Sequence, residues 1–275
     1  MAKPIVKWAG GKTKLLGELL ARVPTHVRTY AEPFAGGAAL FFALVGDGSR
    51  SFDHAVLADQ NEELVACYRA VKNDVHGLIE ALRGFRYDRD TFYRVRDESP
   101  SGMSDVQRGA RLIYLNRTCF NGLWRVNAAG KFNVPFGRYE NPRILDEPGL
   151  LLAHEALSRA DIVHADFEEV TRSLGAGDFA YFDPPYIPLS KTASFTAYAR
   201  GGFGPKDQER LSRVLYELRE RRVLAMLSNA DTEDARELYR DFDIQVLRAP
   251  RAINSDAKKR GRVNELLVTS WGPSA

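Results

Sequence analysis

Short apolar runs that lead into an acidic residue recur along this chain, and helix-period segments separate them. Thr29 to Glu32, His54 to Ala58 before Asp59, Asp161-Ile-Val-His164 before Asp166, and Phe179-Ala-Tyr-Phe182 before Asp183 read as such strands. Alternation of this kind predicts βαβ units and a parallel sheet covered by helices. A helix is expected from Thr13 to Arg22, where Leu15, Leu16, Leu19 and Leu20 share a face. A Gly-rich turn then opens a helix over Ala38 to Val45, and a long helix starts near Glu62. Further on, Pro205 to Arg221 has Pro at its first position and Leu211, Val214, Leu215 and Leu218 on one side. Strands at Val223 to Leu227, Ile244 to Leu247 and Glu265 to Thr269 complete one doubly wound α/β domain.

Residues 72–155 break this alternation. Ser104-Asp-Val-Gln107 has capping-box spacing, and Asn116 to Tyr139 is rich in Asn, Gly, Arg and aromatics without a period. This middle third reads as an inserted, mostly helical domain, with 1–71 and 156–275 forming the α/β domain. A chain of 275 residues that is 44% hydrophobic can fill a core of that size, which excludes a disordered tail. No apolar run approaches ~18 residues and Met1-Ala2-Lys3-Pro4 carries no signal-peptide stretch, so a soluble cytoplasmic protein with no membrane partner is expected. Cys67 and Cys119 stand far apart without a CxxC or clustered His. They read as packed thiols, and no metal is expected.

Ala31-Glu-Pro-Phe-Ala-Gly-Gly-Ala-Ala39 lies between a strand and a helix, where glycine lets a backbone approach a ligand. Asp59 at the end of the next strand can accept hydrogen bonds from ribose hydroxyls. The pair reads either as a nucleoside-cofactor pocket or as a tight turn beside a solvated Asp. It is not a GxGxxG, which speaks against NAD. Gly11-Lys12-Thr13 ends like a P-loop, but the required first glycine falls on Val6, so ATP hydrolysis is rejected.

Phe179-Ala-Tyr-Phe-Asp-Pro-Pro-Tyr186 is the most informative segment for chemistry. A buried strand brings a carboxylate, two rigid prolines and a ring to the carboxyl edge of the sheet, where ligands bind. The Asp183 carboxylate and Pro184 carbonyl can accept the two protons of an aromatic amine while Tyr186 offers a stacking face. That arrangement keeps the nitrogen lone pair out of the ring and free to attack a methyl donor.

With these motifs in order, the chain resembles Dam-type site-specific DNA adenine-N6 methyltransferases of the D12 class, alpha group. The matching residues are Lys7 to Lys12, Pro33 to Gly36, Asp59, Leu115-Asn-Arg117, Asn121-Gly122, Arg125, Phe132 to Tyr139 and Asp183 to Tyr186. The resemblance implies a Rossmann-like methyltransferase sheet with an inserted DNA-recognition domain. It implies S-adenosyl-L-methionine as cofactor and transfer to N6 of a flipped adenine in duplex DNA, in GATC or a related palindrome. Trp8, Lys12, Phe34, Gly36, Asp59, Asp166, Phe167 and Asp183 would then surround the cofactor. Asp183, Pro184 and Tyr186 would hold the base. The family's second motif glycine falls on Ala38, just after Gly37, and Phe120 stands where many relatives have Tyr.

Net charge is only +3, from 39 Lys+Arg against 36 Asp+Glu, but basic residues cluster. Arg108, Arg111, Arg117, Arg125, Lys131, Arg138 and Arg143 face only Glu140, and Arg248, Arg251, Lys258, Lys259, Arg260 and Arg262 face only Asp256. Clusters of this kind are a footprint of phosphate binding. Base reading is expected from Phe120 to Tyr139: Arg125 on a guanine edge, Leu123 or Pro135 on a thymine methyl, with Arg138 and Tyr139 in the same stretch. Phe120 and Asn121 could fill the gap left by a flipped base. By resemblance Lys7 also reaches a guanine. Trp124 and Phe132 read as core. The expected partner is double-stranded DNA, met as a monomer in the cytoplasm, at a bacterial nucleoid or from a phage-encoded gene. A cognate restriction endonuclease as a separate protein is left open. Two other readings stand beside this one: an RNA or protein amide methyltransferase, and a non-catalytic DNA-binding regulator.

Overall fold

A computed structural model describes residues 2–187, 203–250 and 262–272. Seven strands, β1 (His26–Glu32), β2 (Ser51–Asp59), β3 (Ala160–His164), β4 (Phe179–Phe182), β5 (Leu224–Ala230), β6 (Asp243–Pro250) and β7 (Arg262–Thr269), form one sheet in the order β3-β2-β1-β4-β5-β7-β6. The order reverses between β1 and β4, which pair in parallel, so their carboxyl ends form the topological switch point of a doubly wound sheet. β4 and β5 are also parallel.

The sheet is mixed where the alternation predicted a parallel one. β7 runs antiparallel to both of its neighbours, β5 and β6. Only residues 251–261 separate β6 from β7, and a parallel return would need a crossover of a dozen residues or more.

The chain divides into two compact units. One comprises Met1–Gly11, Ala35–Ser49 and Leu57–His164, and the other Lys12–Phe34, Arg50–Val56 and Ala165–Ala275. In the second unit α1 covers only Leu16–Leu20 rather than the expected Thr13–Arg22, because residues 12–15 form a turn closed by the Leu15 amide donating to the Lys12 carbonyl at 2.8 Å. The long helix Pro205–Glu220 begins with Pro205, as predicted, and buries Leu211, Val214, Leu215 and Leu218. These residues cluster with Ala31, Phe182, Ala225, Leu227, Leu266 and Val268 from the strands.

The first unit holds α2 (Ala39–Gly46), α3 (Glu62–Asn73), α4 (Val75–Arg83), α5 (Arg89–Asp97), α6 (Asp105–Thr118) and α7 (Glu147–Leu157), and the stretch that lacked a period begins in the last turn of α6. α3 packs on α6 and α7 through a face that includes Leu64, Cys67, Tyr68 and Val71. The predicted capping box opens α6: the Gln107 amide donates to Ser104 Oγ and the Ser104 amide to Gln107 Oε1. A separate hydrophobic cluster joins Phe92, Val95, Tyr114, Leu115, Phe132 and Val134. Cys67 and Cys119 are buried thiols, and burial pushes Cys67 up to about 12 and Cys119 up to about 11. Among the described residues no helix is long and apolar enough to cross a membrane.

Candidate active site

In the second unit, β4 is buried along its whole length and delivers Asp183 beyond the carboxyl end of the sheet. Two prolines stop the strand there, since neither can donate to a ladder. Lys12 Nζ lies 2.8 Å from Asp183 Oδ1, with the lysine 5% and the aspartate 20% exposed. The same ammonium sits 4.8 Å from the centroid of the Tyr186 ring. Burial raises the Asp183 carboxyl above the usual range, and the Lys12 charge opposes the shift. Burial also raises the Tyr186 phenol, beside the carboxylates of Asp183 and Glu265. Pro184 is buried. Lys12 is therefore the ion-pair partner of Asp183, a role that the rejected P-loop reading did not supply.

Three more predicted cofactor residues belong to this unit. Phe34, just past β1, stacks on Phe167 at 5.4 Å between centroids. Phe167 opens the short helix α8 (Phe167–Thr171) and is buried, and Asp166 caps that helix by accepting from the Glu168 amide. Arg210, which sequence reasoning missed, ties them together. Its guanidinium donates to Asp166 Oδ1 (2.8 Å) and Glu168 Oε1 (3.0 Å) and lies 4.8 Å from the Phe167 ring centroid. The signal for Arg210 was too weak to single out, being one arginine among many on an amphipathic helix.

The first unit holds Trp8, Gly36 and Asp59. Gly36 has φ +46°, and a Cβ there would come within 2.9 Å of Trp8 Cδ1. Its amide donates to Asp59 Oδ2 at 3.0 Å, and its carbonyl accepts from Tyr68 Oη at 2.6 Å. The Asn61 amide donates to Asp59 Oδ1 at 2.8 Å. Burial raises the Asp59 carboxyl, while those two amides hold it down. Each carboxylate oxygen carries a further lone pair, so the acceptor pair suits ribose hydroxyls as donors. Ala38, where the family pattern has glycine, adopts φ 48° and ψ 38° at the N-cap of α2. The backbone thus keeps a glycine-like geometry without a glycine.

The expected DNA-contacting residues also lie in the first unit. Phe120 and Leu123 are exposed, and Asn121 stands in the left-handed region at φ 56°. Asn116, buried in α6, ties this turn to the N-terminal segment. Its Oδ1 accepts from the Lys7 amide, and its Nδ2 donates to the Lys7 and Gly122 carbonyls, each at 2.9 Å. Gly122 lies so close to Lys7 that a Cβ would come within 2.7 Å of Lys7 Cδ. The sequence had marked Leu115 to Arg117 as a motif without a role, and this bridge supplies one. Arg125 is exposed and donates to Asn133 Oδ1 at 2.7 Å. Pro135 and Arg138 are exposed, whereas Tyr139 is partly buried and donates to the Cys119 carbonyl. Phe132 is buried, as expected for core, whereas Trp124 is only partly buried and packs between Phe132 and Trp8.

The basic cluster of residues 108–143 is less free than its count suggested. Arg108 pairs with Glu62 and Glu63, Arg111 reaches Glu63 and two backbone carbonyls, Arg117 donates to the Ile5 carbonyl, and Arg143 pairs with Asp146. Charge counted along a chain ignores partners supplied by other helices. Arg125, Lys131 and Arg138 remain exposed. In the second cluster Arg248 is exposed. Arg251, Lys258, Lys259, Arg260 and the Arg262 side chain lie outside the described residues.

Comparison with known proteins agrees with this chemistry. Residues 8–253 match the family D12 class N6 adenine-specific DNA methyltransferase. The Type II methyltransferase M1.LlaDCHI of Lactococcus lactis subsp. cremoris is 40% identical over 278 residues, spanning 98% of this chain and 96% of that protein. The DNA adenine methylase of Serratia marcescens is 36% identical over 271 residues, 97% of each chain. That of Escherichia coli K12 is 34% identical over 273 residues, 97% of this chain and 94% of the relative. The chain belongs to the D12 class of N6 adenine-specific DNA methyltransferases.

Proposed function

We propose that this protein transfers a methyl group from S-adenosyl-L-methionine to N6 of an adenine flipped out of duplex DNA, within GATC or a related palindrome. The observation that carries the reading is the Asp183 carboxylate, ion-paired with Lys12 beside the Tyr186 ring, at the switch point of the sheet. The residues present suit the cofactor chemically. Asp59 offers acceptors for ribose hydroxyls, the Gly36 turn with Trp8 offers a close backbone approach, and Phe34, Asp166 and Phe167 offer an apolar and polar flank for an adenine. When bound, S-adenosyl-L-methionine supplies an electrophilic methyl group, so the protein needs no covalent nucleophile.

Asp183 orients the amine. Its oxygen and the Pro184 carbonyl accept the two N–H groups, so the nitrogen lone pair is directed away from the ring and toward the donor. The Lys12 ammonium opposes the rise that burial imposes on the Asp183 carboxyl, and a proton can leave the nitrogen to solvent after transfer. Tyr186 stacks on the base, and the exposed Phe120 and Asn121 fill the vacated place in the duplex, offsetting an unstacking cost of a few kcal/mol. Residues 72–155 act as the target-recognition region, with Lys7, Leu123, Arg125, Pro135, Arg138 and Tyr139 supplying contacts to bases and phosphates. The protein works as a monomer, visiting a palindrome twice. The Type II name of M1.LlaDCHI supports a separate cognate endonuclease.

The test is to incubate the purified protein with tritiated S-adenosyl-L-methionine and unmodified genomic DNA, RNA or protein, then map the modified adenines. Label is expected in DNA alone, at one short palindrome. Asp183→Ala should abolish transfer while retaining DNA binding. Label in RNA or protein instead, or wild-type turnover by Asp183→Ala, would reject the reading.

A further inference from the structure

Tyr186 is held from more sides than its place in a chain turn requires. The backbone on either side of it is pinned by two buried amides, Gln208 at 4% and Asn229 at 0% exposure. Gln208 Nε2 donates to the Pro185 carbonyl at 2.8 Å, and the Ile187 amide donates to Asn229 Oδ1 at 3.1 Å. Asn229 Nδ2 donates to Gln208 Oε1 at 3.2 Å, so the two amides form one directional relay. Because each amide has its donor and acceptor ends committed, neither can flip without leaving a buried polar atom unpaired.

With the backbone settled, the ring's own torsions remain. Lys12 lies over the ring, and at its far end the Tyr186 hydroxyl donates to Glu265 Oε2 at 2.8 Å. Glu265 stands on β7 opposite Ala230 of β5, next to Leu266, Leu267 and Val268, which are fully buried. The strand's register, not a local turn, places the Glu265 backbone, and the bond from the Tyr186 hydroxyl holds its carboxylate at the ring's edge. A hydrogen bond to a charged acceptor is among the stronger ones available to a phenol.

We propose that Glu265 is a positioning residue of the methyl transfer. It fixes the plane of the Tyr186 ring so that the target base stacks in register with the Asp183 acceptor. This rests on the reading of Tyr186 as the stacking plate for adenine. A plate free to rotate would let the amine drift from the acceptors, and small displacements of reacting groups cost rate steeply.

The experiment compares Glu265→Leu, which removes the acceptor, with Glu265→Gln, which keeps one neutral acceptor oxygen. Tyr186→Phe and the double variant Tyr186→Phe/Glu265→Leu complete a cycle. Glu265→Leu should lower kcat on duplex DNA about ten- to a hundredfold. Its S-adenosyl-L-methionine Kd and its melting temperature should stay near wild type, and Glu265→Gln should recover most of the rate. The double variant should be no slower than Tyr186→Phe within about twofold, because both changes delete one bond. Wild-type kcat in Glu265→Leu overturns the proposal. So does a Glu265→Gln as slow as Glu265→Leu, which would point to charge, or an additive cycle.

A readout independent of turnover is the 13C resonance of the Tyr186 Cζ in tyrosine-labelled protein. It should move in Glu265→Leu and stay close to wild type in Glu265→Gln, and an unmoved resonance in Glu265→Leu also overturns the proposal. An inactive wild type with that pattern intact would reject the methylation reading alone.

Discussion

Replacing Lys12 by Met removes a buried cation while keeping most of its apolar stem, and the consequence falls on Asp183, 2.8 Å away. Breaking a buried pair by deleting one partner typically costs about 3–5 kcal/mol, because the other charge stays in place without water. The folded variant has an escape, since Asp183 can take up a proton. An aspartate with an unfolded-state value of about 3.9 pays roughly 1.4 kcal/mol for every pH unit above it, or about 4 kcal/mol at pH 7. Proton uptake therefore sets a ceiling on the loss of about 4 kcal/mol at pH 7 and about 1.5 kcal/mol at pH 5.

The sign follows from the direction of the shift. Burial already raises the Asp183 carboxyl in the wild type, and Lys12 opposes that rise. Without Lys12 the folded-state value climbs further, so the folded variant binds more protons than the unfolded chain. Its stability is then lost as pH rises from the ordinary carboxylate range through the folded value. Urea unfolding of Lys12→Met and wild type at pH 5, 6, 7 and 8 should show a deficit that shrinks on acidification, with methyl transfer lost throughout. A deficit that is constant across those pH values, or retained wild-type turnover, would refute the coupling.

Two further substitutions probe the Gly-rich turn. Gly36→Ala places a Cβ within 2.9 Å of Trp8 Cδ1 at a left-handed φ, so it should destabilise by about 2 kcal/mol in urea unfolding and weaken S-adenosyl-L-methionine binding, seen by equilibrium dialysis. Ala38→Gly should act in the opposite sense. Relief of a left-handed alanine is worth about 1–2 kcal/mol, and the added freedom of the unfolded chain costs about 0.4–1 kcal/mol. A net gain near 0.5 kcal/mol in the same assay is expected, and a loss of stability would mean that Ala38 carries no strain.

Much of the site's chemistry can be read directly along the chain. β4 ends where the apolar run 179–182 meets Asp183 and two prolines, as predicted. Ser104 and Gln107 announce α6, and Pro205 announces the helix after it, because caps and φ restrictions act within one turn. Ala38 as a departure from the family pattern was visible too, but its left-handed conformation was not, since the backbone there is dictated by its surroundings. The antiparallel β7 escaped the periodicity, because a short buried strand carries no mark of its direction.

Local pattern, read from neighbours a few residues apart, determined the strands, the helix starts, the Asp183-Pro-Pro-Tyr186 edge and the family. Tertiary structure alone decided which charges are neutralised: Arg108 and Arg111 spend theirs on Glu62 and Glu63, and Lys12 spends its own on Asp183. It also decided that Asn116 joins Lys7 to the Gly122 turn and that Glu265 takes the Tyr186 hydroxyl. The physical reason is common to all four. Hydrogen bonding and desolvation depend on which atoms meet after the chain has closed on itself, and partners far apart in sequence leave no periodic trace of that meeting.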